Sequence, residues 1–231
     1  MRQGLSMIST ATDSTRTATP FAAMRDAMVV SQLRTSAVDD KRVIEAMARV
    51  PREDFVPNAV KSLAYRDTQL SLGDGRMHNT PLATGRLINE AAIQPGDRVL
   101  LIGAAGGYAA AVLSRLAATV VAVEEAPLAN EARVALSGFA NVEIVEGALA
   151  NGAPGHEPFD VIMIDGAVEA LPDALVEQAK DGARIVTGLV DRGVTRLAAG
   201  RRTAGGFGLF DFVDLDCAIL PGFSAPREFK F

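Results

Sequence analysis

The chain has 231 residues, of which 48% are hydrophobic, and this is enough to bury the core of one sizeable domain. Its formal net charge is −5 and its 23 lysine and arginine residues are scattered, so nucleic acid is disfavoured as a partner. The single cysteine, Cys217, excludes an internal disulfide and a thiolate metal cluster, and we predict no metal site.

No apolar run reaches the ~18 residues that a membrane helix needs, and the N-terminus lacks the apolar segment of a secretory signal. We therefore predict a soluble, cytoplasmic protein with no membrane partner. Residues 1–20 are rich in serine, threonine and alanine without periodicity, which predicts a flexible tail. The sequence leaves the oligomeric state open, and a homodimer is one of the alternatives.

Helical periodicity begins directly after this tail. Apolar residues recur at helical spacing over residues 22–34, and a second helix is predicted from a cap at Asp39 to its end at Pro51. A long connection follows over residues 51–74. We therefore group residues 21–80 as an N-terminal helical region that ends in a loop, and residues 81–231 as the core.

The pattern changes at residue 81, where apolar strands alternate with helices of about ten residues. Strands are predicted within 95–103, 119–125, 141–147, 158–166 and 183–190, and helices within 82–92, 108–117, 126–139 and 171–180. Residues 194–203 and 207–220 flank Ala204-Gly205-Gly206, which indicates a closing hairpin, and Cys217 is expected to be a buried small hydrophobe. The fold class is therefore α/β: a doubly wound, mostly parallel sheet with N-terminal helices and a C-terminal antiparallel hairpin.

This combination is typical of methyltransferases that use S-adenosylmethionine, and it predicts one ligand crevice beyond the carboxyl ends of the strands. Glu124 ends the second strand, 21 positions after Gly103, a spacing that suits a carboxylate bound to both ribose hydroxyls. The alternative is a solvated acid at a strand end. The predicted cofactor-binding residues are Gly103, Ala104, Gly106, Gly107, Tyr108, Glu124, Glu125, Gly147, Ala148 and Asp165.

Several segments together make a family recognisable. Over residues 24–187 the chain resembles protein-L-isoaspartate O-methyltransferases, and the run AMARVPREDFVP followed by AYRD is the most specific part. The resemblance is carried by SQLR (31–34), RVIEAMARVPREDFVP (42–57), AYRDTQLSLGDG (64–75), PGDRVLLIGAAGGYAAAVLSRL (95–116) and PFDVIMI (158–164). It implies repair of isoaspartyl-containing proteins or peptides, in which the α-carboxylate is methylated and the ester then collapses through a succinimide.

The chain departs from that family at positions where the resemblance implies function. The family loop Gly-Gln-Thr-Ile-Ser-Gln/Ala-Pro is here GRMHNTP, residues 75–81, so the implicated serine corresponds to Asn79. Leu101 and Ala148 stand where the family has acids that contact the cofactor. Methyl transfer to an ionised carboxylate needs no general base, so catalysis is expected to depend on alignment and exclusion of water.

The resemblance therefore leads us to predict Asn79, Thr80 and His78 as the catalytic residues. An Asn79 amide or the Thr80 hydroxyl could hold the acceptor carboxylate, and His78 could add positive charge at lower pH. A solvated loop histidine is the alternative for His78. Arg76 is either a clamp for a carboxylate or a surface residue.

Three functions stay open at this point. The leading prediction is an active isoaspartyl carboxyl methyltransferase that uses S-adenosylmethionine. The second is a catalytically impaired relative that acts as a binding or regulatory module, because two acids are missing. The third is a methyltransferase for another small acceptor, suggested by Asp165.

Overall fold

In the computed structural model residues 20–224 are described, and helices and strands alternate through most of that range. The α-helices are α1 (Pro20–Met28), α2 (Lys41–Arg49), α3 (Pro81–Glu90), α4 (Tyr108–Leu113), α5 (Leu128–Ala135) and α6 (Asp173–Glu177). The strands are β1 (Leu70–Gly73), β2 (Arg76–His78), β3 (Arg98–Ile102), β4 (Thr119–Glu124), β5 (Val142–Glu146), β6 (Phe159–Val168), β7 (Ala179–Asp191), β8 (Val194–Arg201) and β9 (Leu209–Asp214). The predicted tail lies outside the described residues, except for Pro20.

Seven of these strands form one sheet in the order β5-β4-β3-β6-β7-β8-β9. The strands from β5 to β7 pair in parallel, whereas β8 is antiparallel to both of its neighbours. This confirms the predicted doubly wound sheet with its closing hairpin. The chain passes from β3 outward to β4 and β5 and then returns to the other side of β3 as β6. The strand order therefore reverses beside β3, where such sheets bind their ligands.

The sheet separates two apolar layers, and β3 contributes to both. Val99 and Leu101 belong to a cluster with the N-terminal helices, whereas Leu100 and Ile102 belong to a cluster with α6 on the opposite face. Successive side chains of a strand point to opposite faces, so a strand buried on both sides is continuously apolar. The N-terminal region and the core thus share one apolar cluster.

The N-terminal helices differ in detail from the prediction. The first begins at Pro20, and its predicted second half forms a π-helical turn over Val29–Leu33. The predicted cap at Asp39 is wrong by one residue. Asp40 is the cap, and its carboxylate accepts a 2.8 Å hydrogen bond from the backbone N–H of Arg42. The backbone N–H groups of both aspartates are bound by the side-chain oxygen of Asn89, which fixes the entry to α2.

The long connection after Pro51 contains two 3-10 turns and then a small antiparallel sheet of its own, which we call the β1–β2 hairpin (residues 70–78). His78 was expected on a loop, with a solvated side chain as the alternative to a catalytic one, but it lies in β2 and is buried. Its ring centroid lies 6.0 Å from that of Tyr108 at the start of α4.

The helix predicted over residues 171–180 is shorter, because α6 ends at Glu177 and β7 starts two residues later. The carbonyl of Gln178 accepts a hydrogen bond from the N–H of Phe159, and its side chain bonds to the turn at residues 151–153. These long-range bonds stop the helix where local periodicity would continue it. Within residues 20–224, none of the helices combines the length and the apolar character that crossing a bilayer requires.

Candidate active site

The carboxyl ends of β3, β4 and β6 lie side by side and carry the predicted crevice residues. Gly103 follows β3, Glu124 ends β4, and Asp165 lies within β6. Gly147 follows β5 and donates a 3.1 Å backbone hydrogen bond to the carbonyl of Glu124. The topology therefore brings these predicted residues to one edge of the sheet.

The glycine loop, residues 103–107, is packed tightly against other parts of the chain. A Cβ atom on Gly106 would collide with the backbone carbonyl of Phe55, and one on Gly103 would lie 2.9 Å from a methyl group of Leu220. Gly107 has φ of +102°, a backbone conformation that favours glycine, and Tyr108 begins α4 from there. Glycine is thus required here for close packing of backbone and side chains.

Glu124 is fully buried, and four donors converge on its carboxylate. Arg76 donates from Nη1 to Oε1 at 2.6 Å and from Nη2 to Oε2 at 2.9 Å. The backbone N–H of Ala105 donates to Oε2 at 2.6 Å, and that of Glu125 donates to Oε1 at 2.9 Å. Each oxygen therefore accepts two hydrogen bonds from the chain itself. The alternative of a solvated acid at the strand end is wrong for Glu124.

A cavity of about 520 Å³ opens beside this ion pair. The β1–β2 hairpin forms one wall, the segment after β4 forms another, and the chain beyond β9 closes it. Its lining includes Gly75, Arg76, Glu125, Leu128, Leu220 and Phe223. Of the predicted cofactor-binding residues, Glu125 lines this cavity, as Arg76 does.

The two positions where the resemblance implies acids have different environments. Leu101 has 0% of its surface exposed and belongs to the apolar cluster that packs on the N-terminal helices. Ala148 is exposed, immediately before a 3-10 turn over Leu149–Asn151. An acid at position 148 would reach solvent, whereas one at position 101 would be enclosed by apolar side chains.

Asn79 and Asp165 form the centre of a buried polar cluster. The Asn79 amide donates to Asp165 Oδ1 at 3.0 Å and to Cys217 Sγ at 3.3 Å, and its oxygen accepts from the N–H of Ala218 at 3.1 Å. The Thr84 hydroxyl donates to the same Asp165 oxygen at 2.9 Å. Burial raises the pKa of Asp165 above its ordinary value, although these two donors act in the opposite direction.

The predicted catalytic residues are buried, and the hydrogen bonds of Asn79 and Thr80 go to other residues of the chain. The Thr80 hydroxyl caps α3 by accepting a 3.1 Å hydrogen bond from the N–H of Ala83. Asn79 joins the hairpin to β6 and to the segment after β9. Cys217 is 1% exposed, as predicted for a small buried hydrophobe, and burial raises its pKa to about 12.

His78 is 1% exposed, and neither ring nitrogen has a hydrogen-bond partner among the described residues. Burial, together with the nearby Arg52 charge, holds the pKa of His78 well below its ordinary value. Both causes disfavour protonation of the imidazole at this position.

Arg52 lies beside Asn79 and Tyr108 and is not among the residues predicted from the sequence. It is fully buried, donates from Nη2 to the carbonyl of Asn79 at 2.5 Å, and lies 4.9 Å from the ring centroid of Tyr108. Within residues 20–224, its Nε and Nη1 and the Tyr108 hydroxyl have no hydrogen-bond partner. The signal was present in the PREDFVP segment, which contains this arginine.

A metal site is not apparent in the part of the chain that the structure describes. Over residues 20–224, no three His, Cys, Asp or Glu side chains are grouped so that they could hold an ion. Two of the buried acids, Glu124 and Asp165, are each engaged by donors from the protein.

Comparison with known proteins gives a consistent picture. The family model for protein-L-isoaspartate (D-aspartate) O-methyltransferase matches residues 24–206. The chain is 38% identical over 191 residues to protein-L-isoaspartate O-methyltransferase 1 of Rhodopseudomonas palustris, covering 81% of this chain and 78% of the relative. It is 37% identical to the Koribacter versatilis protein-L-isoaspartate O-methyltransferase, over 81% of this chain and 86% of that protein.

Solved structures support the fold. A protein-L-isoaspartate O-methyltransferase superposes with a TM-score of 0.76 at 24% identity, covering 86% of this chain and 66% of the solved chain. A Plasmodium falciparum protein, described as a putative protein-L-isoaspartate O-methyltransferase in complex with S-adenosyl-L-homocysteine, gives a TM-score of 0.70 at 18% identity. That alignment covers 85% of this chain and 97% of the solved chain.

Proposed function

Because this chain belongs to the protein-L-isoaspartate O-methyltransferase family, we propose that it transfers a methyl group from S-adenosylmethionine to the α-carboxylate of isoaspartyl residues. The observation that carries this proposal is the family match over residues 24–206, which includes the N-terminal region, the glycine loop and the sheet edge. Family membership confirms the predicted class of enzyme and its cofactor. The alternative of a non-catalytic binding module is not favoured.

The residues at the sheet edge fit S-adenosylmethionine in part. The cavity of about 520 Å³ lies within the range of small-molecule pockets and has both apolar and charged walls. Glu124 is placed at the strand end where a ribose-binding acid belongs, and Glu125 lines the cavity. The exception is that Glu124 is already bonded to Arg76. When bound, the cofactor would supply an electrophilic methyl group, and the protein would position the acceptor carboxylate and exclude water.

The acceptor side of the reaction needs a positioned carboxylate more than a base, since a carboxylic acid with a pKa near 4 is already ionised at neutral pH. The structure places Asn79 and Thr80 where they hold the hairpin and α3 in fixed positions. We assign them a positioning role for the loop at residues 75–81. The β1–β2 hairpin, which forms one wall of the cavity, would exclude water from it. This role agrees with catalysis by alignment.

A direct test uses purified protein, S-adenosylmethionine with a labelled methyl group, and one peptide made in two forms. The isoaspartyl form is expected to acquire base-labile label, and the same peptide with normal aspartate is expected to acquire none. The normal peptide is the matched control because it differs only in the linkage. Equal labelling of both peptides, or labelling of neither, would contradict the proposed acceptor.

Two further properties stay predictions. We propose a cytoplasmic location, which agrees with a single, buried cysteine, since disulfides are rare in that compartment. A homodimer remains one alternative for the oligomeric state. Isoaspartyl proteins or peptides are the partners that the family supports, and neither the charge pattern nor the described helices point to nucleic acid or membrane.

A further inference from the structure

The Arg76–Glu124 ion pair is the most tightly enclosed charged contact at the sheet edge. The Arg76 side chain is 11% exposed and the Glu124 side chain 0%. Two parallel N–H···O bonds join the guanidinium to the carboxylate, the geometry in which an arginine binds a carboxylate most strongly. The partners are 48 residues apart in the chain, so the contact joins the β1–β2 hairpin to the end of β4.

This contact competes with any ligand that needs the Glu124 carboxylate. An ionised carboxylate offers about four acceptor positions. All four are used here, two by Arg76 and two by the backbone of Ala105 and Glu125. The two backbone donors belong to the glycine loop and to the residue that follows Glu124. A ligand diol can therefore be accepted only if the Arg76 side chain moves away.

The position of the hairpin makes such a movement consequential. Residues 72–76 form a wall of the cavity, and the hairpin pairs with itself and not with the seven-stranded sheet. Besides Arg76, a 2.9 Å hydrogen bond from Gln69 to Asp216 ties its base to the segment after β9. The exposed turn at residues 73–75 connects its two strands. Arg76 thus fastens the wall of the cavity to the carboxylate behind it.

We propose that Arg76 is a gate on the cofactor site: its ion pair with Glu124 holds the site closed, and S-adenosylmethionine binds only in the fraction of molecules in which that pair is broken. This proposal rests on the proposed function, because it takes Glu124 as the ribose-binding acid. The apparent dissociation constant of a gated site exceeds the intrinsic one by the inverse of the open fraction. Removing the gate therefore tightens binding without adding any contact to the ligand.

The chain itself suggests the variant that tests this gate. The family loop has glutamine where this chain has Arg76, so Arg76→Gln removes the charge and the bidentate geometry while keeping a side chain of the family type. Titration of S-adenosylhomocysteine by calorimetry is expected to give a dissociation constant at least tenfold lower for R76Q than for the wild type. In stopped-flow experiments, the observed rate constant of binding is expected to reach a plateau at high ligand concentration in the wild type, because opening of the ion pair limits it. In R76Q the same rate constant is expected to rise linearly with ligand concentration.

Arg184→Gln provides a matched control. Arg184 pairs with Asp97 at 2.5 Å, and the two side chains are 14% and 12% exposed. Asp97 precedes β3 and Arg184 lies within β7 beside Val161, so this pair is away from the carboxyl ends of the parallel strands. R184Q is expected to lower the melting temperature and to leave the dissociation constant unchanged. A tighter R76Q together with an unchanged R184Q attributes the effect to the gate and not to general loosening.

The remaining outcomes are decisive as well. A folded R76Q that binds with unchanged or weaker affinity overturns the gate, whereas methylation of the isoaspartyl peptide by the wild type would leave the proposed function standing. Tighter binding by R76Q without methylation by either protein supports the gate and contradicts the proposed acceptor. If neither protein binds S-adenosylhomocysteine, both the gate and the cofactor assignment are wrong. If R76Q does not fold, Arg76→Lys, which keeps the charge but loses the bidentate contact, is expected to bind a few-fold tighter.

Discussion

Two buried acids at the same edge of the sheet are stabilised in different ways. Glu124, at the end of β4, faces a guanidinium and two backbone N–H groups. Asp165, in β6, is 5% exposed and is bonded by a neutral amide and a neutral hydroxyl, from Asn79 and Thr84. The first acid is paired with a charged side chain from another segment. The second has its pKa raised by burial and serves as a junction between segments.

On the proposed function, this difference distinguishes a position that binds the ligand from one that is structural. In the proposed gate, the ion pair is exchanged for a ligand, because the ligand restores hydrogen bonds that the arginine gives up. The network that joins Asp165 to α3, to the loop at residue 79 and to the segment after β9 contains no such ion pair. We therefore expect ligand-linked effects at Glu124 and purely structural effects at Asp165.

A carboxylate placed in the same sheet without any donor is expected to give the largest effect. Leu101→Glu introduces an acid at a fully buried position among apolar side chains. The free energy of unfolding is expected to fall by more than about 4 kcal/mol, because the charge has neither water nor a partner. Urea unfolding followed by circular dichroism measures this. Leu101→Met, which conserves volume, should cost less than about 1.5 kcal/mol. A wild-type unfolding midpoint for L101E would show that a donor is close by.

Breaking the ion pair is expected to rank second. Glu124→Gln leaves the Arg76 guanidinium without its counter-charge in a largely buried position, which is expected to cost about 3–5 kcal/mol of unfolding free energy. The double variant E124Q/R76Q removes both charges. Its loss is expected to be smaller than the sum of the single losses by at least about 1 kcal/mol, since the two side chains interact directly. Additive losses in urea unfolding would mean that the pair contributes no coupling.

Asp165→Asn is expected to give the smallest effect, and one that depends on pH. The substitution keeps an oxygen for Asn79 and Thr84 but cannot ionise, and the cost near pH 4 is expected to stay below about 1 kcal/mol. Because the folded pKa of Asp165 is raised above 3.8, the folded wild type binds more protons than the unfolded chain in that window. The free energy of unfolding of the wild type therefore falls as pH rises from 3.8 through the raised pKa. D165N has no carboxyl group at this position and does not show this loss.

Urea unfolding of the wild type and D165N at several pH values between 4 and 7 measures the difference. D165N is expected to gain on the wild type as pH rises. Asp165→Ala serves as the control for the network itself. It removes the acceptor and is expected to cost about 1–3 kcal/mol at every pH. A pH-independent difference between the wild type and D165N would show that burial does not raise this pKa.

Much of the architecture could be predicted from the sequence because it depends on local pattern. Alternation of apolar strands and helices predicted the doubly wound sheet that the structure has. The glycine-rich turn after β3 and the acid at the end of β4 predict a site at the edge of that sheet. Family resemblance added the reaction. Errors fell where distant contacts override local periodicity, as at the end of α6, or where two adjacent acids compete for a cap, as at Asp39 and Asp40.

The partners of the site residues were decided by the tertiary structure alone. The sequence marks Arg76, Asn79, Glu124 and Asp165 as candidate site residues. No local pattern, however, predicts that Arg76 pairs with Glu124, 48 residues away, or that Asn79 pairs with Asp165, 86 residues away. Burial also depends on packing: the sequence left a solvated loop position open for His78, whereas the fold buries this residue in β2. A hydrogen bond or an ion pair depends on distance in space, and the sequence determines that distance only through the complete fold.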